Sequence, residues 1–220
     1  EAWGSAPGAA GARVAVGGRG EMVGSVSGGC VEAAVVDEAG GVLKSGRPKR
    51  LRFGVSDETA WEVGLACGGQ ISVFVESVAG ITQGQPSVLA LIAEAVAAEQ
   101  PVVRMVVTGG PDDMLGASLA VQADGAAAVS PSGLDLKPWV DVAREVLRAR
   151  APEARTLTLR NREVEVFFDV QLPAPTLVIV GGVHIAMALA RLAREVGYRV
   201  VIVDPRGAFA TQPPVPRAIA

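Results

Sequence analysis

The chain has 220 residues and a net charge of −3; half of its residues are apolar, yet only 4% are aromatic. That length holds one large domain or two modest ones, and a core limited to Val, Ala, Leu and Ile suits buried strands and the helices that cover them. The charge balance argues against a nucleic-acid footprint, and no apolar stretch reaches the roughly 18 residues of a bilayer span.

In chain order, residues 12–16 and 21–26 read as a hairpin around the Gly17-Gly18-Arg19-Gly20 turn. Residues 31–44 have helical composition, weakened by Gly40-Gly41 and stopped by Gly46 and Pro48. The run Arg47-Pro48-Lys49-Arg50 reads as a solvated turn. Strands are expected over 49–55 and 70–76, the second with Ile71, Val73 and Val75 on one face. A helix over 86–99 precedes a strand over 101–108 and a strand pair at 115–122 and 125–129. Residues 138–148 read as helix, and 155–160 with 163–170 as a hairpin closed at Asn161-Arg162. The stiff Pro-rich stretch 171–175 reads as a linker between a domain at 1–170 and a segment at 176–220. The apolar runs 176–180 and 199–203, with a helix over 181–196 between them, give a βαβ unit whose strands are expected to be buried on both faces. The prolines from Pro213 to Pro216 cannot enter a central strand. The fold class is thus α/β: a mixed-sheet N-terminal domain followed by a Rossmann-like, incomplete βαβ segment.

Two cysteines, Cys30 and Cys67, are too few for a disulfide framework. No signal peptide is evident after Glu1, so the cytoplasm is the expected location and the thiols are free groups, ligands or sulfur carriers. Gly24-Ser25-Val26-Ser27-Gly28-Gly29-Cys30 leads from a strand into a helix. Unpaired N–H groups at the helix start, with the Ser25 and Ser27 hydroxyls and the freedom of Gly28 and Gly29, form a candidate phosphate cradle. The same field favours a thiolate at Cys30, the form that metal ligation or persulfide transfer requires. Ala66-Cys67-Gly68-Gly69 puts the second thiol in a similar turn. The alternative for both cysteines is a small buried hydrophobe beside a tight turn.

These segments resemble the signatures of the XdhC/CoxI family. Ser27-Gly28-Gly29-Cys30-Val31-Glu32 is similar to the N-terminal signature, and Trp61 to Gly69 to the second. Gly4-Ser5-Ala6-Pro7 with Gly11-Ala12-Arg13 is similar to the opening one. The resemblance implies an accessory chaperone, not an enzyme with its own turnover. Such a factor binds molybdenum cofactor, a phosphorylated pterin whose dithiolene holds the metal. It assists the cofactor's sulfuration and insertion into a xanthine dehydrogenase-like partner, with a cysteine desulfurase as sulfur donor. On that resemblance Cys30 and Cys67 are the candidate molybdenum ligands, and Cys67-Gly68 joins the cofactor-binding set.

Val178-Ile179-Val180-Gly181-Gly182-Val183-His184 sits where a dinucleotide fingerprint belongs, and Asp204 ends the next strand within reach of a ribose hydroxyl. Val183, however, replaces the second glycine of the pattern. His184 starts the helix as a donor to a phosphate or metal, or as a residue with no task. Arg206 pairs with a ligand phosphate or with a neighbouring carboxylate. From the stretch Gly181 to Asp204 alone an alternative activity follows, an NAD(P)-dependent oxidoreductase. An incomplete parallel sheet exposes an edge, from which a homodimer is expected.

Overall fold

The computed structural model describes residues 2–3, 10–54, 70–83, 87–130 and 134–206. The chain divides into two units, Glu1–Leu172 and Pro173–Ala220. The architecture is mixed α/β.

The first unit opens with β1 (Ala2–Trp3) and the hairpin β2 (Val14–Val16) and β3 (Met22–Gly24). Then come α1 (Glu32–Ser45), β4 (Lys49–Phe53) and β5 (Gln70–Val75). β5 is the centre of a three-stranded antiparallel sheet, β1-β5-β4. Helix α1 buries Val35, Ala39 and Val42, a stripe at helical spacing. Val31 and Val35 pack on Leu51, Ile71 and Val73 of the sheet. Gly40-Gly41 does not end this helix. It stops at Gly46, whose φ of +67° suits glycine and whose N–H donates to the Val42 carbonyl at 2.8 Å.

α2 (Val88–Ala97) starts at Ser87, whose hydroxyl accepts from the Ala90 N–H. β6 (Val102–Gly109), β7 (Ser118–Gln122) and β8 (Ala127–Val129) follow, then α3 (Val140–Ala149) and the hairpin β9 (Glu153–Leu159) and β10 (Arg162–Gln171). They form a five-stranded antiparallel sheet in the order β8-β7-β6-β10-β9. α3 packs Ala143, Val146 and Leu147 against Met105, Leu119, Val166 and Phe168, the main core. Phe168 is fully buried there and contributes about 2–3 kcal/mol by area. α2 packs on Val102, Ala120 and Ala128; Ala120 lies between Leu119 and Val121, so the two helices use opposite faces of β7.

Two expectations shift. The β9–β10 turn is Arg160-Asn161, not Asn161-Arg162: both residues have positive φ, +48° and +59°, and Leu159 pairs with Arg162. That is the two-residue hairpin geometry that matches strand twist. The expected solvated turn at 47–50 is also corrected. Lys49 and Arg50 begin β4, Lys49 pairs with Glu38 at 2.7 Å, and the half-buried Arg50 pairs with Glu165.

The second unit is β11 (Thr176–Val180), α4 (His184–Glu195) and β12 (Arg199–Val203), with the strands parallel and in register. α4 buries Ala186, Ala190 and Ala193. The strands are not buried on both faces, as the sequence led us to expect. Their burial alternates, and Val178, Val180, Val201 and Val203 are exposed, because α4 covers one face of the pair. No described helix is long and apolar enough to cross a membrane. Residues 61–69, the opening signature at 4–7 and the prolines at 213–216 lie outside the described residues.

Candidate functional site

The loop between β3 and α1 carries the first group of expected site residues. Its donors converge on one internal anion, the Glu32 carboxylate. Oε1 accepts from the Ser25 hydroxyl at 2.5 Å, the Val26 N–H at 3.0 Å and the Ser27 N–H at 2.8 Å. Oε2 accepts from the Ser27 hydroxyl, from the Gly29 N–H at 2.9 Å and from the Val31 N–H at 3.2 Å. The Gly28 N–H donates to the Ser25 hydroxyl at 2.8 Å. Gly29 has φ +114°, a conformation that a side chain opposes, and this bend carries the chain around the carboxylate. The cradle expected of Ser25, Ser27, Gly28 and Gly29 therefore exists as a set of donors, but Ser25, Ser27 and Gly29 are committed to the chain's own carboxylate and the Gly28 N–H to Ser25. Helix-start amides and hydroxyls prefer any anion, and a tethered one binds without the entropy cost of association.

Glu32 is 7% exposed. Burial pushes its carboxyl up, but the Ser25 and Ser27 hydroxyls and the Ser27 amide outweigh that and hold it well below the usual carboxylate range. Cys30 sits in the middle of this braced loop, two residues before α1 begins. Its thiol is free and half-buried, packed on the cluster of Val31, Val35, Leu51, Ile71 and Val73. It is neither fully entombed nor openly displayed. Cys67 and Gly68 lie outside the described residues. Among the described residues no group of three His, Cys, Asp or Glu side chains is arranged to hold a metal ion.

The second group lies in the other unit. Gly181 turns at φ +105° after β11, and its N–H donates to the Val203 carbonyl at 2.8 Å. Asp204 Oδ2 accepts from the Gly182 N–H at 2.7 Å. Arg206 clasps the same carboxylate, Nε to Oδ1 at 3.0 Å and Nη2 to Oδ2 at 2.9 Å. The Arg206 guanidinium, then the Gly182 amide, hold the Asp204 carboxyl well below its ordinary range. Arg206 thus pairs with a neighbouring carboxylate, one of the two partners expected for it. Asp204, whose side chain is fully buried, spends its oxygens on the strand–helix turn where a ribose hydroxyl was expected. Val183 is the N-cap of α4 and supplies no side-chain cap; His184 is the first helical residue and is exposed.

Family comparison bears on both groups. The model of the XdhC and CoxI family matches residues 1–54, and that of the XdhC Rossmann domain matches residues 177–220. Two segments of the chain are thus similar to the XdhC and CoxI family. A crystal structure from Bacillus halodurans, described as a xanthine dehydrogenase, shares the fold, with a TM-score of 0.67 over 95% of this chain at 20% identity. The chain spans 57% of the length of that protein. No curated protein matches the chain.

The feature that the sequence does not announce is a cavity of about 670 Å³ in the first unit. One side is apolar, with Val35, Ala39, Ile71 and Val73 among its residues. The other is the face of β6 and β10 turned away from α3, with Arg104, Val106, Phe167 and Asp169. Three ion pairs border it: Arg13–Asp169, Arg50–Glu165 and Arg104–Glu76. Arg104 Nη2 donates to Glu76 Oε2 at 2.7 Å and Arg13 Nε to Asp169 Oδ2 at 2.9 Å. Arg104 and Asp169 stand directly opposite each other across the β6–β10 ladder, which puts their side chains on one face. Along β10, Glu165, Phe167 and Asp169 alternate with Val164, Val166 and Phe168, so the two sets lie on opposite faces of the strand. Glu32 was legible as a carboxylate three residues after Gly29, yet it carried no assigned role.

Proposed function

We propose that the protein is an accessory factor that binds molybdenum cofactor and assists its sulfuration and insertion into a xanthine dehydrogenase-like molybdenum hydroxylase, without turnover of its own. Similarity of two segments to the XdhC and CoxI family supports the accessory role in general. The single structural observation that carries the specific reading is a free, half-buried Cys30 on a loop fixed by six hydrogen bonds to Glu32. A soft sulfur held in a rigid turn is chemically apt for a molybdenum centre or for passing on sulfur from a cysteine desulfurase. When bound, the cofactor supplies a metal on a dithiolene and a phosphate. Cys30 fits the metal end. The 25–31 loop does not fit the phosphate end, because Glu32 has taken its donors. Gly182 and Arg206 are likewise engaged, by Asp204, so the dinucleotide chemistry of an NAD(P)-dependent oxidoreductase has less in its favour. Cytoplasmic location and homodimerisation belong to the same proposal.

The test is reconstitution. The purified protein, loaded anaerobically with cofactor, is added to the apo form of a molybdenum hydroxylase, and activation is compared for wild type and Cys30→Ala. Activation by wild type and its loss in the variant are expected. Equal activation by both would remove Cys30 from the account.

A further inference from the structure

The charge along the cavity of the first unit balances: Arg13, Arg50 and Arg104 face Asp169, Glu165 and Glu76. A space that is net neutral, largely apolar and about 670 Å³ does not attract a dianion. Its size lies within the range of small-molecule sites, and its few polar groups sit on one wall. Phe167 on β10 and Phe74 on β5 supply aromatic faces among the lining residues. The carboxylate of Asp169 is 15% exposed, while the Arg13 side chain that holds it is 54% exposed. A guanidinium that is more than half exposed can turn its donors to water when a ligand takes its place on the carboxylate. The half-buried carboxylate then offers two oxygens to a pair of adjacent N–H donors, the geometry with which it now accepts from Arg13. The cavity is next to Cys30: Val35, Ile71 and Val73 line it and also belong to the cluster on which the thiol packs.

We infer that this cavity binds a flat, neutral heteroaromatic ring bearing adjacent N–H donors, and that Asp169 accepts those donors. Resting on the function proposed above, the ring is the pterin of the cofactor, lodged beside Cys30 and not at the 25–31 loop. Asp169 is the specificity residue, Arg13 its exchangeable cap, and the apolar side excludes water from the ring.

The experiment uses two probes on the full chain under anaerobic conditions, a simple hydroxymethylpterin and molybdenum cofactor released from a denatured molybdoenzyme. Binding is read by equilibrium dialysis and pterin fluorescence. Two variants accompany wild type: Ala39→Phe, which fills the cavity from α1, and Asp169→Asn, which replaces one acceptor oxygen with a donor. Wild type is expected to bind the pterin, with affinity lowered at least tenfold in both variants. Circular dichroism checks each fold, and the conservative Asp169→Asn keeps the test valid if Ala39→Phe fails to fold. Binding of both probes with full affinity in Ala39→Phe and Asp169→Asn would overturn the cavity assignment while leaving the accessory reading in place. Binding of the pterin but not of the cofactor, still sensitive to Asp169, would keep the cavity assignment and sink the cofactor reading. No binding of either probe would overturn the inference.

Discussion

Replacing Glu32 with Gln tests the internal anion directly. The substitution keeps size and shape but puts an NH2 group where Oε2 now accepts from Ser27, Gly29 and Val31. Val31 keeps a second acceptor, the Ser27 hydroxyl at 3.0 Å, and the Ser27 hydroxyl can rotate. The Gly29 N–H then faces another donor, and a part-buried donor without a partner costs about 1–2 kcal/mol. The three bonds to Oε1 survive as neutral bonds, each weaker by up to about 1 kcal/mol. Losses within one network are not additive, so the expected destabilisation is about 3 kcal/mol. For a unit of this size that lowers the melting temperature by about 6–12 °C. Thermal unfolding followed by circular dichroism at neutral pH gives the answer. The folded-state pKa of Glu32 is depressed, so its stabilisation is fully present above the unfolded value of about 4.3 and is lost as pH falls toward the folded value. The gap between wild type and Glu32→Gln should therefore narrow in strong acid. A melting temperature within about 2 °C of wild type at neutral pH, with no dependence on pH, would refute the reasoning.

Two further outcomes follow from the same geometry. Gly29→Ala forces a side chain into φ +114° and should cost about 1–3 kcal/mol, read as a lower urea midpoint with an unchanged slope. Asp204→Asn loosens the Gly182 turn and releases part of the Arg206 clasp; hydrogen exchange of the first α4 amides should accelerate while β6 and β10 stay as protected as in wild type.

Much of the fold could be read from the sequence because its elements are periodic. β11 and β12 fall on the residues expected, since a continuous run of β-branched and aliphatic residues bounded by glycine has few alternatives. Helix α1 survives Gly40-Gly41 because Val35, Ala39 and Val42 bury its face, a tertiary gain that local propensity does not contain. The one-residue shift in the β9–β10 turn reflects the left-handed conformations of Arg160 and Asn161, which neither residue name specifies. At the site, the loop, its donors and Cys30 were all legible. What fills the loop was not, because a motif read as a docking place for an outside anion leaves no reason to ask which inside anion comes first. The cavity was illegible for a different cause: it arises where one face of β6 and β10 meets α1 and β5, elements separated by long stretches of chain.

The most direct measurement is a native mass spectrum of the protein purified anaerobically from a molybdenum-replete host, taken alongside Cys30→Ala. The account predicts a pterin–molybdenum adduct on wild type that is depleted in the variant. Bare polypeptide in both spectra, from a host that loads its other molybdoenzymes, would contradict it.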